Sequence, residues 1–313
     1  MIEVGFILLG LVGLLWGSDY SVNAAREIAR KLRISELVVG LTIVSIGTSV
    51  PEIATNVLAG YSTLSGVDAS GIAVGSIIGS ELAQITLMLG LVGFMATLHI
   101  PRRSLVRDGF MLFMAAILMY LTAVDGFVSR SEGVLLVLTY IIYLTYLVTQ
   151  ERAKVRRVPE EARDYDISAD ALKTMIGITI IVFGAHLVVK YGVVMALRYE
   201  ISASVIGLFV GLGTSLPELT VSLRAIQKSA GSLSLGNLIG SNITDPLLSF
   251  GLGASIAGVT VEHIILKFDF VYWITATAIA LLLLYNHMNI NRKESSILII
   301  LYGLFLYMRL TFF

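Results

Sequence analysis

Apolar residues run along this 313-residue chain in blocks separated by short polar turns. Each block has about the 20 residues needed to cross the hydrocarbon core of a bilayer. Ten blocks lie near residues 4–24, 36–62, 70–97, 106–124, 131–149, 168–190, 202–224, 232–258, 267–286 and 295–313. The pattern predicts an all-α polytopic membrane protein with ten transmembrane helices. One stretch interrupts it. Segment 150–167 opens with QERAKVRRVPEEARDYD, dense in charge of both signs and containing Pro159. It reads as a linker between an N-terminal part, 1–149, and a C-terminal part, 168–313, of five blocks each.

Composition agrees: 56% of residues are hydrophobic, 14% are charged, and the mean hydropathy is +0.87. Soluble domains do not carry so little charge, so the bilayer is the solvent. Lys plus Arg and Asp plus Glu number 22 each. No bulk charge points to nucleic acid or to an acidic partner, and no obligate protein partner is expected. With no Cys, disulfide frameworks and thiolate metal sites are excluded. The opening 17 residues carry Glu3 where a leader has basic residues, and they are expected to form the first span.

Charge position adds orientation. Taking alternate loops, 17 of the 22 basic residues fall on one side, among them Arg26, Arg30, Arg33, Arg102, Arg103, Arg107, Arg224, Lys228 and those of the linker. Only Arg130, Lys190, Arg198, Lys267 and Arg309 fall on the other. Because Lys and Arg accumulate in cytoplasmic loops, the linker is expected inside the cell and both termini outside, in a plasma membrane.

Gly47–Glu52 reads GTSVPE and Gly213–Glu218 reads GTSLPE; Gly75–Ser80 reads GSIIGS and Gly236–Ser241 reads GNLIGS. The repeated unit is the second and third span in one half and the seventh and eighth in the other. Five spans separate the copies, an odd number, so they enter the membrane from opposite sides. The fold expected is two inverted five-helix repeats, an architecture common to alternating-access transporters. The second, third, seventh and eighth helices are expected to be broken at these motifs.

Mid-membrane Gly47, Pro51, Gly213 and Pro217 loosen the helix, since proline removes a donor and frees the carbonyl one turn back. Carbonyls near Ser45 and Gly211 are therefore expected to reach a metal, beside the acids Glu52 and Glu218. An ionisable group at the bilayer centre costs roughly 2.5 to 3.5 kcal/mol on insertion scales. A bound cation compensates that charge. Calcium takes six to eight oxygens, and the copies offer Glu52, Glu218, Thr48, Thr214, Ser80, Ser241, Gln84 and Asp245. Ser80 and Gln84 are four residues apart, as are Ser241 and Asp245, so each pair shares a helix face. Gly10, Gly13 and Gly17 read instead as close-packing devices. Asp19 and His186 hold matching places after Gly17 and Gly184, as packing or hydrogen-bonding groups.

The paired GTS-[VL]-PE and G-[SN]-[IL]-IGS segments resemble the alpha repeats of the calcium/cation antiporter superfamily, which holds sodium/calcium and proton/calcium exchangers. The likeness covers the whole chain and matches the family's small prokaryotic form. It implies that Glu52 and Glu218 bind calcium and that Thr48, Thr214, Ser49, Ser215, Ser80 and Ser241 line the ion sites. It also implies that the first and sixth spans slide against the other eight. There are departures. The family's archaeal sodium/calcium exchangers typically have Asn at the Gln84 position and Ala at the Ser45 position. The second copy is one residue shorter between Gly207 and Gly213 than the first between Gly40 and Gly47, and Glu81 adds a carboxylate where the second copy has Asn242.

These departures favour protons over sodium as the counter-ion: Glu52 and Glu218 take either one calcium or two protons, with Glu81 as a candidate proton relay. No resident cofactor is expected, only transported calcium with a proton or sodium counter-flow. Two other classes share single features with this sequence. A cation channel also uses mid-membrane acids, but filters usually need symmetry about the membrane normal. An intramembrane hydrolase lacks an Asp pair at a helix break, a His cluster or HExxH.

Overall fold

The computed structural model describes residues 2–155, 166–198 and 212–312. Residues 156–165 of the linker, and Gly207 and Gly211, lie outside the described residues. The helices are α1 (Ile2–Leu32), α2 (Glu36–Val39), α3 (Ser45–Thr48), α4 (Val50–Leu64), α5 (Ser70–Leu82), α6 (Leu89–Met95), α7 (Arg102–Ala123) and α8 (Arg130–Val155). After the linker come α9 (Ser168–Arg198), α10 (Leu216–Gln227), α11 (Gly231–Thr244), α12 (Phe250–Ala257), α13 (Phe270–His287) and α14 (Arg292–Phe312). Among the described residues seven helices are long and apolar enough to cross a membrane, and the bent pair Glu36–Thr48 and Val50–Leu64 makes an eighth if counted as one span. Their outward faces carry Leu8, Leu15, Trp16, Ile142 and Ile300, all exposed, as lipid-facing side chains should be.

Three expectations need adjusting. The second span does break, bending 46° at Ser49, and Ser215 interrupts the seventh just before α10. The third and eighth do not break. Each stays helical and absorbs one wider, π-type turn, at Ala83–Met88 between α5 and α6 and at Asp245–Ser249 between α11 and α12. In α11–α12 the cause is visible: Pro246 has no N–H to give to the carbonyl four residues back. The linker is also shorter than its charge suggests. Gln150–Val155 continue α8, because Gln, Glu, Arg, Ala and Lys are good helix formers.

By contact the chain forms two compact units, Met1–Pro51 with Val148–Asn237, and Glu52–Leu147 with Leu238–Phe313. Each takes helices from both sequence halves. In the first unit α1 and α9 run antiparallel along their whole length. Glu3 pairs with Arg198 at one end (2.6 Å) and Lys31 with Asp170 at the other (3.1 Å). Between them the backbones touch. A Cβ at Gly10 would lie 2.6 Å from the Gly184 oxygen, and one at Gly17 2.8 Å from the Gly177 oxygen. This is the small-residue packing that substitutes for a hydrophobic driving force in lipid. Leu14, Val22, Ile28, Val44, Ile181, Val221 and Leu233 fill the unit's core.

Asp19 does bond across helices. It accepts from Arg224 (2.6 Å) and Lys228 (2.6 Å) at the far end of α10, while His186 is exposed. Arg26, two turns along α1 from Asp19, donates to the Lys228 carbonyl (3.0 Å). The clasp is one-third exposed and therefore worth about 1 kcal/mol at most. Asp19→Asn is expected to lower the thermal midpoint of the purified protein by about 2 °C, and the gap should close in 1 M salt, where screening is about complete. A gap independent of salt would contradict this.

In the second unit Trp273, Phe250, Phe270, Ile77, Leu82 and Leu112 are fully buried. Two-residue strands tie its connections: Leu98–His99 pairs antiparallel with Asn289–Ile290, and Phe127–Val128 with Val259–Thr260. Buried Asp108 accepts from Arg107 (2.6 Å) and from the Tyr143 hydroxyl (3.0 Å). On the same face of α8, Tyr140 meets Thr244 at 3.2 Å.

Candidate cation site

Each unit carries its own group of buried polar residues. In the first, α3 ends at Thr48, and Ser49 leaves the helical conformation (φ −76°, ψ 5°). Pro51 and Pro217 then occupy the first turns of α4 and α10, where a missing N–H costs nothing. Gly47 and Gly213 lie against α9: a Cβ on them would collide with Ile178 and Val189 respectively. Glu218, in the first turn of α10, is fully buried, as are Ser49 and Ser215; Thr214 is half-buried.

Asn237, at the hub of this group, is the second residue of GNLIGS. Its amide nitrogen donates to the Glu218 carbonyl (3.1 Å) and to Ser222 Oγ (3.0 Å). Its oxygen takes the Thr48 hydroxyl at 3.2 Å. The Ser45 carbonyl, expected to be free for a metal, is not. It accepts the Ser49 N–H (2.9 Å), and the Thr48 hydroxyl, whose one proton it shares with the Asn237 oxygen, lies 3.2 Å away, because the helix bends after Ser49 and α3 closes its own last turn.

In the second unit Glu52 is 1% exposed. Asn56, one turn on, donates to the Glu52 carbonyl (2.9 Å) and to Ser249 Oγ (3.1 Å). At the wide turns, Gln84 Nε2 donates to Ser80 Oγ (2.8 Å) and to Asp245 Oδ2 (3.1 Å). The Gln84 oxygen is occupied by Asn242 Nδ2 (2.9 Å), whose other proton goes to the Leu238 carbonyl (2.9 Å). Leu238's carbonyl only accepts, so the amide directions are forced. In this conformation Gln84 presents N–H, not oxygen, to Asp245. Glu81 is fully buried close by in sequence.

Several oxygens of the two groups are buried and take no hydrogen bond among the described residues: Ser49 Oγ in the first unit, and Asn56 Oδ1, Ser241 Oγ and Asn242 Oδ1 in the second. Buried oxygens of this kind require an explanation, and a cation is one. Acid clustering does not supply it, since among the described residues no three Asp, Glu or His side chains gather tightly enough to hold a metal. The donor set is mostly neutral oxygen, which suits hard cations.

Sequence reasoning overlooked Asn56, Ser222, Asn237, Asn242 and Ser249. A signal existed for two of them: Asn56 and Ser222 each stand four residues after the motif glutamate, on the same helix face.

The model for the family described as sodium/calcium exchanger protein matches residues 2–149 and 171–311. The chain belongs to this exchanger family. The gap in the match falls on the charged linker. Among its relatives, sodium/calcium exchanger MaX1 of Methanosarcina acetivorans is 32% identical over 98% of each chain. An uncharacterized membrane protein of Methanocaldococcus jannaschii is 36% identical over 84% of this chain and 85% of its own. A solved structure of the sodium-calcium exchanger NCX_Mj superposes with TM-score 0.85 at 31% identity, covering 100% of this chain and 99% of that one. The exchanger family consists of multi-pass membrane transporters of inorganic cations, so this chain is grouped with transporters rather than with channels or hydrolases.

Proposed function

We propose that this protein is a secondary active calcium/cation antiporter that exports calcium by alternating access, in exchange for protons. Glu52 and Glu218 carry the charge and are loaded either with one calcium or with two protons. Ser49, Thr48, Thr214, Ser215, Ser80, Ser241 and Asp245 supply the remaining oxygens, and Glu81 relays protons. The ten spans are two inverted five-helix repeats, 1–149 and 168–313, with the linker cytoplasmic and both termini outside a plasma membrane.

The observation that carries the antiport reading is the pair of fully buried glutamates, each at the head of a helix that follows a GTS-x-PE break, in a chain of the exchanger family. Support for protons is local. Gln84 offers its amide rather than its oxygen, and the Ser45 carbonyl is already engaged. Both fall at positions where this chain departs from the Asn and Ala typical of the family's archaeal sodium/calcium exchangers. The second reading, sodium as counter-ion, is favoured by the relative MaX1 and the neighbour NCX_Mj, both named sodium/calcium exchangers at about a third identity.

Calcium uptake into liposomes under separate gradients decides between them. A pH gradient in sodium-free vesicles is expected to drive uptake. Uptake driven by sodium alone would reject protons and retain calcium antiport; uptake independent of any counter-ion would reject antiport.

A further inference from the structure

The polarity of the Asn237 network is fixed at both ends by backbone. Carbonyl oxygens only accept. Asn237 Nδ2 donates to the carbonyl of Glu218 and to Ser222 Oγ, and Ser222 passes its own proton to the Ser234 carbonyl at 3.5 Å. The Asn237 oxygen is therefore the only face left for Thr48, and Thr48 must be the donor across that 3.2 Å contact. Its other partner, the Ser45 carbonyl, is also acceptor-only and already holds the Ser49 N–H at 2.9 Å. A hydroxyl has one proton and two lone pairs. With its proton committed to the protein, Thr48 keeps both lone pairs for something that only attracts electron density.

From this we infer that Asn237 is a positioning residue that makes Thr48 an obligate cation acceptor. The opposite amide orientation would aim N–H at Thr48 and occupy a lone pair that a cation needs. The same network ties this hydroxyl to the backbone of Glu218, so the acid and the threonine are oriented by one side chain. The first repeat has a different residue at the matching position. Ser76 stands at the position matching Asn237, and its hydroxyl donates to the Ala73 carbonyl on its own helix (3.1 Å).

The inference rests on the proposed role of Thr48 as an ion ligand, and a double-mutant cycle separates the two. Calcium uptake is measured in liposomes with Thr48→Val, Asn237→Leu and both together. Leu keeps the branched four-atom outline of Asn, though it is bulkier, without its hydrogen bonds. Thr48→Val is expected to raise the apparent KM for calcium about tenfold, and Asn237→Leu about fivefold, with maximal rates within about twofold. The double variant should fall well short of the product of the two effects, because the part of the Asn237 effect that acts through the hydroxyl is already lost in Thr48→Val and only its bond to the Glu218 carbonyl remains to be removed. If Thr48→Val leaves KM unchanged, the ligand role fails and the inference with it. If Thr48→Val raises KM but the two effects multiply, the ligand role stands and Asn237 does not act through Thr48. Should Asn237→Leu not fold, Asn237→Ala is used in the same cycle, with the same outcomes deciding.

Discussion

Glu218→Gln or Glu52→Gln is expected to abolish calcium exchange while leaving a folded protein. Gln keeps the volume of Glu, so the packing around these fully buried side chains is undisturbed. It removes a formal charge from a shell whose other oxygens are mainly hydroxyls and amides. Contacts to a charged group are worth about 1.5 to 3 kcal/mol each, and each 1.4 kcal/mol is about tenfold in affinity. Loss of one carboxylate should therefore weaken apparent calcium affinity by at least about tenfold, and by about a hundredfold if both its oxygens take part. Exchange suffers further, because one glutamate in place of the pair cannot balance one calcium against two protons. The check is calcium-loaded vesicle flux beside a thermal melt of the same preparation. Wild-type flux from either variant would remove that acid from the site.

That prediction was available from the sequence alone, since the two hexapeptides and their opposite orientations are patterns in residue order. The spans were legible for the same reason. Lipid demands long apolar blocks, and most of the observed helices start and stop within a few residues of those blocks, while α1 and α9 each run eight residues past theirs and the start of the seventh block lies outside the described residues. The less legible features depend on hydrogen-bond direction. Gln84 looks like a ligand because it carries an oxygen at the expected spacing from Ser80. Only when Asn242 is seen to occupy that oxygen does its amide turn toward Asp245. Asn237 differs from Ser76 by one letter in a motif, and nothing in that letter says that it reaches Thr48. Similarly, glycine in GSIIGS suggests a break, yet a Cβ at Gly75 or Gly79 would meet nothing within 4 Å. The backbone disturbance comes one turn later, as a wide turn that no single residue type announces.

The largest effect on stability is expected from Gly177→Val. A Cβ there would lie 2.8 Å from both the N and the Cβ of Ser21 and 2.9 Å from the Gly17 oxygen, almost all backbone that cannot rotate away. The helices α1 and α9 would have to separate, breaking the contact at Gly10 and Gly184 as well. Overpacking of this kind costs about 1 to 3 kcal/mol, occasionally more, or roughly 2 to 12 °C in thermal midpoint. Gly5→Val on the partner helix α1 is the control, because its Cβ would meet nothing within 4 Å; it should leave the midpoint unchanged. The pair also bears on transport. If α1 and α9 move as one body, their backbone contact is what makes them rigid, and Gly177→Val should slow exchange even at temperatures where the protein stays folded. A variant that melts earlier but exchanges at the wild-type rate in the cold would show that the contact serves stability alone.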